Sequence, residues 1–373
     1  MRKTFKYRIY PTANQKTLLE NVLEECRWLH NQLIYQKKTL WETSKQSIGL
    51  YAQQEFAKEL CKTRPTLDEV HSQVVQQTAV RVDLAFKAFF RRCKSGETPG
   101  YPRFKGQGQY HSFTYPQSGY KIIDDNRIKL SKIGNVKIKQ HREIEGKIKT
   151  CTVSKTSTGK WFVFLSCEVE PQPLPVNKLE VGIDLGLTTF ATMSDGSKIS
   201  NPRFFAQEEK ALAKAQRKFA KQKKGTPERR KAKRIVAKVH ERIVNKRTNF
   251  CHQESGKVVN KYGFICMEDL NIKNMLVKGT FPKLSKSISD AAWGLFLNLL
   301  CFKAESAGRT AVKVNPAFTT QDCSSCGTRQ VLKLSDRTYS CGVCGLSMDR
   351  DLNASKNILR VGLHSLAVAQ ATA

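Results

Sequence analysis

Residues Leu179–Ile199 read LEVGIDLGLTTFATMSDGSKI, two or three short strands joined by tight turns, the second turn being Ser194–Ser197 (SDGS). The first strand runs Val181, Gly182, Ile183, Asp184, Leu185, so one carboxylate stands inside an apolar run. The same pattern recurs where Tyr262–Met267 (YGFICM), a nearly all-apolar strand, ends on Glu268. A third carboxylate, Asp351, stands at the start of a helix read over Leu352–Arg360, where a helix amino terminus favours an anion. Each alone has an ordinary reading as a cap or a surface turn.

The charge balance changes that reading. The chain of 373 residues carries 64 Lys+Arg against 32 Asp+Glu, a formal net charge of +32, with basic residues spread along its whole length. Such a surface needs a polyanion, and nucleic acid outranks anionic lipid as the partner. Acidic clusters repel nucleic acid unless metal ions intervene. Two hard divalent cations about 4 Å apart, bridged by Asp and Glu, activate a water and steady the leaving oxygen in phosphodiester cleavage. Three carboxylates in a strongly basic chain fit that chemistry.

The longest apolar run, Ala291–Phe302 (AAWGLFLNLLCF), is too short to span a bilayer, and the polar start MRKTFKYRIYPT shows no targeting core. An intracellular protein with no membrane partner is expected. Eight of the 12 cysteines are scattered, several in apolar settings (Cys151, Cys167, Cys266, Cys301), as buried free thiols of a reducing compartment would be.

The other four are clustered. Cys323-x-x-Cys326 and Cys341-x-x-Cys344, separated by 14 residues and each followed by Gly, let four thiolates reach one tetrahedral Zn²⁺. A redox CxxC is the competing reading. Four protein ligands close the site, so this zinc is structural.

Around these motifs the periodicities change. Phe5, Tyr7 and Ile9 alternate with Lys6 and Arg8 as in a strand with one wet basic face, ended by Pro11. Thr12 and Gln15 have capping-box spacing, and Leu19, Val22, Cys26, Leu29 and Leu33 carry the helix on. A second helix is read from Val75, Ala79, Val82, Phe86 and Phe89. The Gly- and Pro-rich segment Lys94–Gln109 then gives way to short alternating runs that predict an antiparallel meander. The amino-terminal strand joins it in a small antiparallel β-barrel, with the helices inserted between. Pro171–Pro175 (PQPLP) is a linker. Lys210–Arg247 is a basic helical stretch opposed only by Glu228 and Glu241 and broken at Gly225-Thr226-Pro227; Val236, Val239 and Ile243 give it an apolar anchor.

These residues carry a resemblance. KYRIYPT (6–12), QHREIEGKIKT (140–150), GIDLGLTTFA (182–191), MEDLNIKNM (267–275), SISDAAWGLF (287–296), NPAFTTQDCSSCG (315–327) and DRDLNASKNIL (349–359) are spread over nearly the whole chain. In order and spacing the sequence resembles TnpB, the transposon-encoded RNA-guided DNA endonuclease family related to compact type V CRISPR effectors.

The resemblance implies an α/β multi-domain chain. Its parts would be a wedge-like β-barrel (1–10 plus 99–177), an inserted helical recognition domain (11–98), a RuvC-like, RNase H-type nuclease domain (178–320 plus 346–373) and a zinc-ribbon insert that binds target nucleic acid (321–345). It places a catalytic triad on Asp184, Glu268 and Asp351 with two Mg²⁺, and makes Asp349 a bystander, a choice that spacing alone leaves open. It implies a guide RNA from the transposon end, a double-stranded DNA target cut beside a short adjacent motif, one protein copy per ribonucleoprotein, and a prokaryotic cytoplasm with nucleoid association. Base pairing would read sequence while the protein reads shape and a few bases. The amino-terminal helices would face the motif. Gln73 and Gln77, one turn apart, are candidate base contacts because Gln bonds adenine bidentately. Solvated helix positions are their competing reading.

Three other classes compete. Actin-like ATPases and sugar kinases open on a similar GIDLG hairpin, but they need a second loop of the DxGxGT type, and none follows residue 190. A catalytically silent zinc-ribbon nucleic-acid-binding protein or repressor would keep the cysteines and make no use of the carboxylates. A strand-transferring transposase would use a similar acidic triad, and only the family motifs set it aside.

Overall fold

The alternation at the amino terminus becomes β1 (Arg2–Tyr10), with Phe5, Tyr7 and Ile9 buried. Pro11 ends it, and the capping box forms as read: Thr12 Oγ1 accepts from the Gln15 N–H at 3.3 Å and Gln15 Oε1 from the Thr12 N–H at 3.1 Å. This starts α1 (Ala13–Ser44), whose stripe Leu19, Val22, Cys26, Leu29 and Leu33 is buried. The computed structural model describes residues 1–277, 282–333 and 335–371. They fall into two compact units, Met1–Glu170 and Pro171–Ala373, dividing at the Pro-rich linker.

In the first unit α1 is followed by α2 (Leu50–Thr63), α3 (Pro65–Asp68) and α4 (Ser72–Lys94), with Val75, Ala79, Val82 and Phe86 of α4 buried. The strands β2 (Ser112–Tyr115), β3 (Tyr120–Asp124), β4 (Arg127–Leu130), β5 (Gly134–Lys139), β6 (Lys147–Lys155) and β7 (Trp161–Glu168) join β1 in one antiparallel sheet, order β2-β6-β7-β1-β5-β4-β3. The first strand therefore lies mid-sheet, as expected from its character. The expected barrel is corrected to a half-barrel, because no ladder joins the edge strands β2 and β3 among the described residues. Side chains close that gap instead: the Tyr115 and Tyr120 rings are 6.5 Å apart, and the Tyr115 hydroxyl donates to the Ser131 carbonyl at 3.0 Å. Helices and sheet share one hydrophobic core that includes Leu29, Val82, Phe113 and Val163.

The second unit opens with β8 (Glu180–Leu185), β9 (Thr189–Met193) and β10 (Lys198–Ser200), the hairpins read from Leu179–Ile199. There follow α5 (Phe204–Ala220), α6 (Pro227–Lys261), β11 (Phe264–Glu268), α7 (Ile272–Val277), α8 (Pro282–Ala291), α9 (Trp293–Ser306) and β12 (Thr310–Val314). A small hairpin of β13 (Thr338–Ser340) and β14 (Ser347–Asp349) then leads into α10 (Arg350–Ala371). The sheet order is β10-β9-β8-β11-β12: β10, β9 and β8 are antiparallel neighbours, and β8, β11 and β12 run parallel. The pleat sends Val181, Ile183, Ile265 and Met267 into a core with Phe296 and Leu300 of α9 and Val258 of α6. The opposite face of β8 and β11 receives α10.

The basic stretch breaks where Gly-Thr-Pro predicted. Thr226 caps α6, its Oγ1 accepting from the Arg229 N–H at 3.2 Å, and Pro227 takes the first helical position, where its missing N–H costs nothing. Val239 and Ile243 pack with Leu212 of α5, so the two basic helices are anchored on an apolar seam. The helix runs on to Lys261, well past Arg247, because Cys251, Val258 and Val259 continue the buried stripe. Of the scattered cysteines named for their apolar settings, Cys151, Cys167 and Cys266 are buried free thiols as expected, whereas Cys301 is half-buried; Cys26 and Cys251 are buried too, and Cys93 is exposed. Among the described residues no helix is long and apolar enough to cross a membrane.

Candidate functional site

β8 and β11 are parallel neighbours with Ile183 opposite Met267, which sets Asp184 and Glu268 side by side at their carboxyl ends. The pleat turns both away from the core that holds Ile183 and Met267, toward α10. Each residue is 9% exposed.

Two glycines bring α10 down onto this face. A Cβ on Gly182 of β8 would lie 2.0 Å from the Ser355 carbonyl oxygen and 2.7 Å from the Leu359 nitrogen, so only a bare backbone admits the helix. Gly362 of α10 does the same against Cys266 of β11, whose Sγ would be 2.1 Å from its Cβ. Asp351, in the first turn of α10, is thereby brought within electrostatic reach of the strand ends. Burial first, then the Glu268 charge, then the Asp351 charge push the Asp184 carboxyl up to about 8, with Arg350 pulling the other way and Asp349 adding the smallest upward push. Burial raises Glu268 too, opposed by a hydrogen bond from the Thr319 hydroxyl at 2.7 Å. The three carboxylates are thus one electrostatic cluster, although their oxygens do not all lie within 4.8 Å of one another.

Asp349 is a different kind of residue. Its Oδ1 accepts from the N–H groups of Asp351 at 2.9 Å and Leu352 at 3.1 Å, which makes it the amino-terminal cap of α10, and its Oδ2 meets Lys198 Nζ at 2.7 Å. Burial would raise its pKa, but the Lys198 hydrogen bond and the capped N–H groups hold it below the usual value. Both Asp349 oxygens are thus engaged, whereas Asp351 has Arg350 Nε 3.6 Å from its Oδ1 and acts on Asp184 more strongly than Asp349 does. Asp349→Ala is expected to cost about 1 kcal/mol, the loss of a cap, read as a melting temperature ~2–4 °C lower. Asp351→Ala, which removes no cap, is expected to melt like the wild type.

The four cysteines come together as their spacing predicted. All four Sγ atoms lie within 4.8 Å of one another, with Cys323–Cys344 and Cys326–Cys341 each at 3.6 Å. Among the described residues no other group of three or more His, Cys, Asp or Glu gathers so tightly. The Thr328 hydroxyl and N–H hold the Cys326 thiol down to about 6, toward the thiolate that a metal needs. This knuckle is fastened to α10. Asn353 Oδ1 accepts from the Ser324 N–H at 2.9 Å and its Nδ2 donates to the Asp322 carbonyl at 2.8 Å; Asn357 Nδ2 donates to the Asp322 carbonyl at 2.6 Å and the Thr319 carbonyl at 2.9 Å. Both asparagines are buried.

Gly182, Gly362, Thr319, Asn353 and Asn357 carry no charge and no metal-ligand spacing, so a reading that searches for chemistry passes over them. Their only signal was to lie in or beside the motif stretches. In the first unit, the Gln73 side-chain oxygen accepts from the Ser118 N–H at 2.9 Å, so one end of that amide already serves the β2–β3 turn. Gln77 lies one turn on, half-buried.

Comparison with known proteins bears on this arrangement. Residues 164–278 match a family model described as "Probable transposase" and residues 293–358 one described as "Cas12f1-like, TNB domain". Residues 1–46 match a "Helix-turn-helix domain" of the same transposase group, although here that span holds β1 and one unbroken helix. A Streptomyces pristinaespiralis protein assigned as an RNA-guided DNA endonuclease is 34% identical over 375 residues, 98% of this chain and 91% of that one. TnpB-like protein L770 of Acanthamoeba polyphaga mimivirus is 26% identical over 96% of this chain and 73% of its own. The chain belongs to the TnpB family. The fold of this TnpB chain also matches the Cas12f1 protein of a solved complex with sgRNA and target DNA, at TM-score 0.61 and 16% identity over 96% of this chain and 98% of that one. A structure titled mini-RNA-guided endonuclease CRISPR-Cas_phi3 matches at TM-score 0.53 and 10% identity, over 97% and 92% of the two chains.

Proposed function

We propose that this TnpB chain is the RNA-guided DNA endonuclease of a transposable element, and that it hydrolyses target phosphodiesters at Asp184, Glu268 and Asp351 beside a short adjacent motif. The observation that carries this reading is the convergence of three carboxylates, distant in sequence, at the ends of two parallel strands under the amino terminus of α10. The relatives' names and the sgRNA and target DNA of the matched complex support guide RNA and duplex DNA as partners. The mixed five-stranded sheet supports a RuvC-like, RNase H-type nuclease unit.

Asp184, Glu268 and Asp351 offer hard oxygen donors only, the set that suits Mg²⁺. Two such ions would lower the pKa of a water and offset charge at the scissile phosphate. Asp184 feels the charge of both others and would hold the cations as a carboxylate, its proton released. Glu268 presents a carboxylate with one oxygen fixed by Thr319. Asp351 rides on a helix whose position is set by Gly182 and Gly362. The basic faces of α5 and α6 supply the positive charge that holds a nucleic-acid backbone.

Cys323, Cys326, Cys341 and Cys344 fit Zn²⁺: a tetrahedral site with Zn–S near 2.3 Å needs sulfur pairs about 3.8 Å apart, close to the 3.6 Å seen. It has no open position and serves structure.

The test is to co-express the chain with the transcript flanking its gene, sequence the RNA that copurifies, and offer plasmids carrying the matching target. A discrete RNA from the adjoining locus and Mg²⁺-dependent cutting of matched plasmids alone are expected. Random cellular RNA with no guided cutting would leave the silent zinc-ribbon binder as the better reading.

A further inference from the structure

We propose that Thr319 is a positioning residue for the Glu268 carboxylate, and that the four-cysteine knuckle is the mount that keeps it there. The proposal rests on the nuclease reading above and adds to it a residue and a coupling.

Thr319 is 4% exposed, and its hydroxyl has one proton to give. Glu268 Oε1 lies 2.7 Å from that hydroxyl, and the Pro316 carbonyl lies farther, at 3.2 Å. The shorter, charge-assisted bond takes the proton. One carboxylate oxygen is thereby fixed. The Thr319 hydroxyl so acts on Glu268 without itself reaching the ions.

What holds Thr319 is the second half of the inference. Its carbonyl accepts from Asn357 Nδ2 at 2.9 Å, and the same amide donates to the Asp322 carbonyl at 2.6 Å. Asn353, one turn earlier on α10, grips the Asp322 carbonyl at 2.8 Å and the Ser324 N–H at 2.9 Å, the two residues that flank Cys323. Four hydrogen bonds from two asparagines at most 1% exposed thus lock residues 319–324 to the helix that carries Asp351. Cys323 cannot move without pulling on these bonds. With a metal held by the four thiolates, these bonds would fix two of the three carboxylates, Glu268 through Thr319 and Asp351 through α10. This gives a physical reason for thiols and carboxylates to be neighbours in CGVCGLSMDRD (341–351).

A purely packing role for Thr319 makes a different forecast, because Val has the same shape. The test uses the full chain with its guide RNA, as wild type, Thr319→Val, Thr319→Ser, Cys326→Ser and Asp184→Asn. Bound zinc, melting temperature, Mn²⁺ affinity by electron paramagnetic resonance and cleavage at limiting Mg²⁺ are measured. Thr319→Val is expected to keep its zinc and to stay folded, melting a few degrees lower for the lost hydrogen bond, while Mn²⁺ affinity and cleavage fall about 10–100-fold, the usual effect of removing an outer-shell partner. Thr319→Ser is expected to restore both. Cys326→Ser is expected to lose zinc and, with it, Mn²⁺ affinity, although Cys326 touches no carboxylate. Wild-type Mn²⁺ affinity in Thr319→Val overturns the positioning role, and wild-type Mn²⁺ affinity in zinc-free Cys326→Ser overturns the mount. If Asp184→Asn also binds Mn²⁺ like the wild type, the carboxylate site itself is misplaced, which separates failure of the nuclease reading from failure of this one.

Discussion

Asp184→Asn is expected to abolish guided cleavage, by about 10³-fold or more, the several kcal/mol that metal-ion charge stabilisation supplies, while raising the melting temperature of the metal-free chain. The second half follows from the same cluster as the first. Burial and the neighbouring carboxylates of Glu268, Asp351 and, least, Asp349 push Asp184 from an ordinary value of 3.8 up to about 8. Between those values the folded chain binds a proton that the unfolded chain releases, so stability falls as pH rises through that window. Each unit is worth about 1.4 kcal/mol, and water entering the site reduces the total, so a gain on the order of a few kcal/mol at pH 8 is expected for the variant. The gap between variant and wild type should close toward pH 4 and also when Mg²⁺ is added, since a bound cation replaces the proton. Melting curves at pH 5, 7 and 8, with and without Mg²⁺, check this alongside plasmid cleavage. A variant less stable than wild type at pH 8 would mean that Asp184 does not stand in a repulsive cluster.

Gly182→Ala is expected to be a severely damaging single-methyl change that acts directly on the carboxylate cluster. The added carbon would lie 2.0 Å from the Ser355 carbonyl oxygen and 2.7 Å from the Leu359 nitrogen, both backbone atoms of a helix that cannot sidestep. The helix must lift from the sheet, at a cost of about 3 kcal/mol or more, read as a melting temperature lower by ~6–12 °C. Lifting α10 also carries Asp351 away from Asp184, so cleavage should be lost even below the melting transition. Gly100→Ala, where a new Cβ meets nothing within 4 Å, is the control and should melt like the wild type. Equal melting temperatures for the two variants would show that α10 does not approach β8 so closely.

These two positions also mark the boundary of what could be read from the sequence. The strands carrying Asp184 and Glu268 were legible because an apolar run interrupted by a carboxylate is a local pattern, and so was the helix start at Thr12, where cap and capping box lie within four residues. The cysteine spacing was legible for the same reason. The barrel was not, since whether β2 and β3 pair depends on two edge strands meeting, and they meet through Tyr115 and Tyr120 rather than through a ladder. Asp349 and Asp351 could not be told apart by spacing. What separates them is a cap geometry: Asp349 accepts from two backbone N–H groups and pairs with Lys198, whereas Asp351 stands in the first turn with Arg350 beside it at 3.6 Å. Gly182, Gly362, Asn353 and Asn357 act through close approach and backbone hydrogen bonds across long sequence separations, and composition has no mark for that. Gln73 was read for its chemistry, and the fold had already spent part of its amide on Ser118.

Locating the ions tests the central claim most directly. The guide- and target-bound complex prepared with Mn²⁺, and the ions found by their anomalous scattering, should show two ions on Asp184, flanked by Glu268 and Asp351 and seated against the phosphate to be cut. Ions held elsewhere, or Asp349 in the place of Asp351, would contradict it.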